Sequence, residues 1–205
     1  YLTRMLAGRG DRVRGIVRNP DHAADVEADG GEPVVLDMEA AADLSDAVRG
    51  ADAIVFAAGA GPGSGAERKK TVDFGAAVKL VEAAQATGVR RYVIVSSIGA
   101  HDPSSAGDGP MGPYLEAKHD ADERLMSSAL DWTVVRPGGL TDDPGTGKVD
   151  VSTEMGRRKS IPREDVAAIL AACLDAPETI GLAFEAFEGD QDVELAVRAL
   201  ARTES

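Results

Sequence analysis

Cysteine is nearly absent from this chain. Cys173 stands alone among 205 residues, so no intramolecular disulfide can form. That excludes a disulfide-stapled scaffold and points to a reducing, cytoplasmic setting. Aromatic residues are also scarce, at 4%, which leaves most of the core to aliphatic and small side chains; Trp132 and Phe184 are expected in it. Positive charge is outnumbered: 22 Lys and Arg face 35 Asp and Glu, for a net charge of −13. Such a surface repels a phosphate backbone and argues against nucleic-acid binding through a basic face. The one basic cluster, Arg157-Arg158-Lys159, reads as solvated. No run approaches the roughly 18–20 apolar residues that a membrane span needs. The opening residues, Tyr1 to Leu6, read as part of an amphipathic helix rather than a signal peptide. The three histidines, His22, His101 and His119, are scattered, and no Cys/His spacing suggests a metal site.

What is present is an alternation of strand and helix patterns in a length that suits one domain. Strands are expected at residues 12–17, 33–36, 53–57, 91–95 and 132–135. Helices are expected at 21–29, 41–49, 66–87 and 114–130. In the third of these Val72, Ala76, Leu80 and Ala83 recur at helical spacing and Gly88 ends the run. Val- and Ile-rich strands alternating with helices imply an α/β fold, a doubly wound parallel sheet covered on both faces. Two stretches rich in Gly, Pro and Asp, 99–113 and 137–160, read as long loops at strand ends, where such sheets carry their sites. Residues 138–160 and 177–205 are expected to build a small C-terminal substrate cap. A fold of this kind opens with a strand and a Gly-rich phosphate loop. This sequence opens instead inside what reads as the following helix, so both are expected to lie outside these 205 residues.

Several strand ends carry candidate chemistry. Arg18-Asn19 follows the strand at 12–17, at the position that meets the adenosine ribose in a dinucleotide fold. An acidic residue there would accept bonds from free ribose hydroxyls. An arginine suits a 2′-phosphate, which makes NADP(H) the expected cofactor, with NAD(H) possible. Asp37-Met38 follows the next strand, where a carboxylate could bond the adenine amino group and the thioether could pack on the ring. Ala57-Ala58-Gly59 has side chains small enough for close approach of a cofactor to the backbone. Ser96-Ser97 closes the strand at 91–95, where a hydroxyl could bond a substrate carbonyl. Tyr114 and Lys118, four apart on a helix, share one face. A phenol is a poor acid or base at neutral pH, and a nearby ammonium favours its ionisation. Asp120, Asp122, Asp142 and Asp143 read as solvated charges, and Cys173, between Ala172 and Leu174, as a small core residue.

Val17-Arg18-Asn19-Pro20, Phe56-Ala57-Ala58-Gly59, Val93 to Gly99, Tyr114 to Lys118 and Val134 to Thr141 occur in the order of one known group. On these pieces the chain resembles the atypical short-chain dehydrogenases/reductases of the NAD-dependent epimerase/dehydratase superfamily. The nearer resemblance is to the NmrA-like and flavin/biliverdin-reductase-like branch. The resemblance implies a Rossmann fold. It implies Tyr114 as proton donor, Lys118 as the group that lowers its pKa and binds ribose, and Ser97, with Ser96 as fallback, orienting the carbonyl. It also implies that Pro137-Gly138-Gly139 face the nicotinamide carboxamide, with Leu140 beside them.

Three functions follow as expectations. The first is an oxidoreductase acting on a small carbonyl or conjugated substrate. The second is a non-catalytic NAD(P)-binding sensor. The third is a nucleotide-sugar epimerase or dehydratase, disfavoured because only 68 residues follow Pro137. The expected partner is a small molecule, with neither nucleic acid nor membrane, and the expected state is a monomer or homodimer.

Overall fold

The computed structural model describes residues 1–59, 70–107, 109, 111–157 and 159–200. Helix α1 (Leu2–Gly8) leads into strand β1 (Arg14–Val17), helix α2 (Ala23–Ala28) and strand β2 (Glu32–Val35). Helix α3 (Ser45–Val48) and strand β3 (Ala53–Phe56) follow. A π-helical segment at Lys70–Ala76 runs into α4 (Ala77–Thr87), then β4 (Arg91–Val95), α5 (Gly112–Met126) and β5 (Asp131–Pro137). The chain continues through β6 (Gly139–Thr141), β7 (Lys148–Ser152), β8 (Ser160–Pro162) and α6 (Arg163–Asp175). It closes with β9 (Leu182–Glu188), β10 (Gln191–Asp192) and α7 (Val193–Ala199).

The central sheet has the order β10-β7-β9-β5-β4-β3, and its β9, β5, β4 and β3 run parallel. Register explains how two cores form on one sheet. Ile54, Tyr92 and Trp132 lie side by side, as do Phe56, Ile94 and Val134. Their side chains face one way and pack with α3, α4 and α5 residues such as Val48, Leu80, Val81 and Leu125. The alternate positions Val93, Val135 and Phe184 face the other way, onto Ile169, Leu170 and Cys173 of α6 and Val197 of α7. A strand covered on both faces must be apolar along its length, which is why Tyr92, Val93 and Ile94 are all buried. The pair β1–β2 is parallel and forms its own two-stranded sheet. The architecture is thus mixed α/β, with a mainly parallel central sheet between helices, as the alternation predicts.

Four segments differ from the sequence expectation. The helix expected at 41–49 is only Ser45–Val48, because the Asp43 carboxylate accepts from the Ser45 N–H at 3.0 Å and its hydroxyl at 2.7 Å, setting the start there. Leu44 and Val48 are nonetheless buried, as the pattern requires. Of the helix expected at 66–87, residues 66–69 lie outside the described residues, and Lys70–Ala76 is π-helical rather than α-helical. The loop expected at 137–160 carries β6, β7 and the start of β8. Lys148-Val149-Asp150-Val151 alternates polar and apolar, and β7 uses that alternation to pair antiparallel with β9 while burying Val149. Finally, from the segment 177–205 expected in the cap, β9 enters the central sheet beside β5, because its Ala183 to Phe187 run is too apolar for an exposed layer.

Candidate functional site

The carboxyl ends of β3, β4 and β5 bring together Ala57–Gly59, Ser96–Ser97 and Pro137–Gly139. That edge is where ligands sit in open α/β sheets. The face of α5 that covers it carries Tyr114, Lys118 and Asp122, each one turn apart.

Lys118 is buried at 3% exposure. Its ammonium donates to the Val95 carbonyl at 3.0 Å and pairs with Asp73 Oδ1 at 3.2 Å. It also lies 5.9 Å from the Tyr114 ring centre and 6.0 Å from that of Phe56. Asp73 comes from the π-helical segment, the kind of local widening that recurs at functional sites. Gly59 closes over it: a Cβ there would stand 3.1 Å from Asp73 Oδ1.

Tyr114 is half-buried, and its hydroxyl is hydrogen-bonded to the Ser97 side chain. Here the structure corrects the role expected of Lys118. The Tyr114 phenol is held above its ordinary range, first by burial and further by the Asp73 and Asp122 carboxylates; only the bond with Ser97 pulls it down. Lys118 pairs with Asp73 at 3.2 Å. Tyr114 is therefore a neutral O–H, suited to giving a proton.

Ser96 and Ser97 separate cleanly. Ser96 turns into the protein and its Oγ donates to Asp122 Oδ2 at 2.7 Å, so it is not an alternative to Ser97 at the site edge. Asp122 is the second correction. Expected as a solvated charge, it is fully buried. Arg136, 4% exposed, meets Asp122 Oδ2 through Nε at 3.0 Å and through Nη2 at 3.0 Å. Burial pushes the Asp122 carboxyl up, opposed by Arg136, Ser96 and Lys118. Beside Arg136 in register is Glu185, also buried, whose carboxylate accepts from the Gly156 and Arg157 amides at 3.0 and 3.1 Å. This polar layer lies directly beneath Ser97, Tyr114 and Lys118.

The other predicted positions fall as follows. Arg18 is half exposed at the end of β1 and donates to Glu39 Oε2 at 3.1 Å. Asn19 caps a short turn by accepting from the Asp21 N–H, which takes its oxygen away from a ligand. Asp37 likewise spends one oxygen on its own loop, accepting from the amides of Glu39 and Ala40 at 2.9 and 3.3 Å. Met38 packs on the core rather than standing free as a ring platform. Ala57 and Gly59 are exposed and Ala58 packs inward. Pro137 is buried, and Gly138 is glycine because a Cβ would sit 2.0 Å from the Lys159 carbonyl oxygen. Its side-chain direction thus faces β8, not the site edge, whereas Gly139 and Leu140 are exposed there. The loop at 61–65 lies outside the described residues. Of the basic cluster, Arg157 pairs with Asp150 and sits on the Phe187 ring rather than standing free in solvent. Cys173 is a core residue, its thiol pushed up to about 12 by burial.

The sequence alone singles out neither Asp73, Arg136, Glu39 nor Lys79, and it reads Asp122 only as a solvated charge. Asp122 continues the Tyr114–Lys118 stripe by one more turn, and Arg136 is a charge directly after the apolar pair Val134-Val135; both patterns signal a buried partner. Asp73 lies beside Val72 in the apolar stripe of its helix.

The donor set fits a dinucleotide. Arg18 keeps its Nε–H and Nη2 donors unbonded among the described residues, small exposed residues line the end of β3, and a buried ammonium sits at the end of β4. Comparison with known proteins agrees. Residues 1–177 match the family model described as NAD(P)H-binding. The chain is 38% identical over 189 residues to YhfK of Bacillus subtilis (strain 168), whose name describes an uncharacterized sugar epimerase. That match covers 92% of this chain and 87% of YhfK. A candidate NAD-dependent epimerase/dehydratase from Bacillus halodurans superposes with a TM-score of 0.92 at 39% identity, covering 98% of this chain and 93% of that one. The oxidoreductase ylbE from Lactococcus lactis, at 24% identity and a TM-score of 0.83, covers 100% of this chain and 92% of its own and shares the fold. The chain therefore belongs to the NAD(P)H-binding family, as a Rossmann-type domain with neighbours in the NAD-dependent epimerase/dehydratase group.

Proposed function

We propose that this chain is an NADP(H)-dependent oxidoreductase that reduces a small carbonyl or conjugated substrate, with Tyr114 as proton donor. The observation that carries this reading is the hydroxyl pair Ser97–Tyr114 beside the Lys118 ammonium, all at the carboxyl edge of the sheet. Arg18 would hold the 2′-phosphate, Ala57 and Gly59 would admit the cofactor backbone closely, Lys118 would meet the nicotinamide ribose, and Gly139 and Leu140 would flank the nicotinamide. The nicotinamide, when bound, supplies the hydride. Ser97 Oγ orients the substrate oxygen by a hydrogen bond, and Tyr114 Oη gives that oxygen its proton. Asp73 and the Val95 carbonyl hold Lys118 in place. The test is NADPH consumption by the purified protein with a panel of aldehydes, ketones, quinones and flavins, alongside direct titration of NADPH binding.

Two further outcomes are specific. A proton donor must be protonated in the free enzyme, and Tyr114 is held above the ordinary tyrosine value of about 10. The profile of kcat/KM for reduction therefore shows no alkaline fall assignable to Tyr114 until above about pH 10. A fall centred near pH 7–8 that disappears in Tyr114→Phe would show the phenol ionising there and overturns this expectation. Arg18→Ala weakens NADPH binding by about 10- to 100-fold, the range for a hydrogen bond to a charged group, and leaves NADH nearly unchanged. Equal effects on the two would remove the NADP assignment.

A second reading, a cofactor-binding sensor without turnover, is favoured by the Lys118–Asp73 pairing, which sets the Asp73 carboxylate against the charge that would activate Tyr114. It predicts NADPH binding with no consumption across the panel. The name of YhfK brings in a sugar epimerase, and nucleotide sugars belong in the same panel for that reason.

A further inference from the structure

The Arg18 guanidinium is not alone at the end of β1. Glu39, on the loop that follows β2, places Oε2 3.1 Å from Arg18 Nη1. Its other oxygen, Oε1, accepts from the Thr71 hydroxyl at 2.6 Å. The two carboxylate oxygens are thus aimed separately, one at the arginine and one at the π-helical segment. The loop that carries Glu39 is itself fastened. Lys79 of α4 donates to three of its carbonyls, Met38 at 3.0 Å, Glu39 at 2.8 Å and Ala41 at 2.7 Å. Asp37 accepts from the Glu39 and Ala40 amides, and the Ala41 N–H returns to the Asp37 carbonyl at 2.9 Å. Six bonds on five residues make a rigid mount for one carboxylate. A mobile surface charge that merely neutralised Arg18 would need no such mount.

We infer that Arg18 and Glu39 together read the 2′ position of the adenosine ribose: Arg18 selects a phosphate there, and Glu39 accepts from a free hydroxyl and opposes the phosphate. This rests on the dinucleotide reading and deepens it. An oxygen bound at Arg18 Nη1 shares that nitrogen with Glu39 Oε2, which stands 3.1 Å from it, and so meets the carboxylate's charge. A 2′-hydroxyl has a proton to give to that carboxylate. A 2′-phosphate has none to spare and brings like charge. The site is therefore a balance of two opposed side chains, and the carboxylate arrives from the strand after the one whose end meets the ribose. NADP preference set by Arg18 is moderated by Glu39, so the wild-type protein discriminates less sharply than Arg18 alone would.

The experiment is titration of wild type, Glu39→Gln and Glu39→Asp with NADPH and NADH, with the melting temperature of each variant as a folding check. Glu39→Gln keeps the shape and an acceptor oxygen but removes the charge. It is expected to tighten NADPH binding by about 2- to 10-fold and to leave NADH unchanged or weaker by a similar factor, so the preference ratio rises. Glu39→Asp is expected to restore the wild-type direction in part. The gain for NADPH shrinks as salt is raised, because the charges are near the surface. A ratio that stays constant, or that moves toward NADH, in a folded Glu39→Gln overturns the inference while leaving the cofactor reading intact. Failure of the wild type to bind either nucleotide overturns both.

Discussion

Replacing Tyr114 by phenylalanine lowers the rate of carbonyl reduction by about 10²- to 10⁴-fold, the usual contribution of a positioned proton donor, while NADPH binding is unchanged. The substitution removes only the hydroxyl. The ring that packs 5.9 Å from the Lys118 ammonium remains, so α5 keeps its seat and the cofactor edge keeps its shape. What is lost is the O–H paired with Ser97, a neutral, half-buried proton source on this edge. The loss falls on kcat rather than KM, because the proton is transferred in the transition state and contributes little to the ground-state complex. Single-turnover kinetics with a substrate found in the panel measures it directly. A Tyr114→Phe protein that turns over within threefold of wild type removes Tyr114 from the chemistry and shifts the case toward the sensor reading.

Asp122→Ala destabilises the fold by about 3–5 kcal/mol, the usual cost of removing one partner from a buried ion pair. Arg136 is 4% exposed, and both of its short contacts to oxygen run to Asp122. Its remaining contact is Nη1 to the Met155 sulfur at 3.7 Å, a weak acceptor. Without Asp122 the buried guanidinium loses the one ion-pair partner it has among the described residues, and Ser96 loses its acceptor as well. Asp122→Asn keeps an acceptor for Ser96 and Arg136 and costs less than the alanine change. Urea unfolding of both variants, with m-values compared to wild type, gives the difference. A cost under about 1 kcal/mol for Asp122→Ala would mean that Arg136 finds another partner or reaches water.

The consequences of this buried layer reach the site. Ser96 is next in sequence to Ser97, Asp122 is one turn below Lys118, and Arg136 precedes Pro137. One carboxylate therefore ties α5 to the ends of β4 and β5, the three elements that must keep Ser97, Tyr114 and the β5 exit in fixed relation. Glu185 extends the layer to the loop at 156–157.

Much of this was legible in the chain. The strand at 91–95 and the helix end at Gly88 fall where their patterns place them, because a fully buried parallel strand and a left-handed glycine cap each leave a strong local signature. The Tyr114–Lys118 pair was legible because four residues on a helix is one turn. The strand β7 was misread as loop: two valines alternating with polar residues are a short signal inside a stretch dominated by Gly, Pro and Asp. Asp37 and Asn19 are candidate ligand contacts on position alone, and in the fold each also bonds its own backbone, as short polar side chains in turns do.

By itself the sequence determined the α/β alternation, the two-faced burial of the central strands and where those strands end, because these follow from periodicity and from neighbours close along the chain. Only the tertiary structure decided the charges. Lys118 meets Asp73 across 45 residues, Arg136 meets Asp122 across 14, and Arg18 meets Glu39 across 21. Whether an ionisable side chain is solvated or buried, and what it pairs with when buried, depends on which elements fold against each other, and no local pattern carries that information.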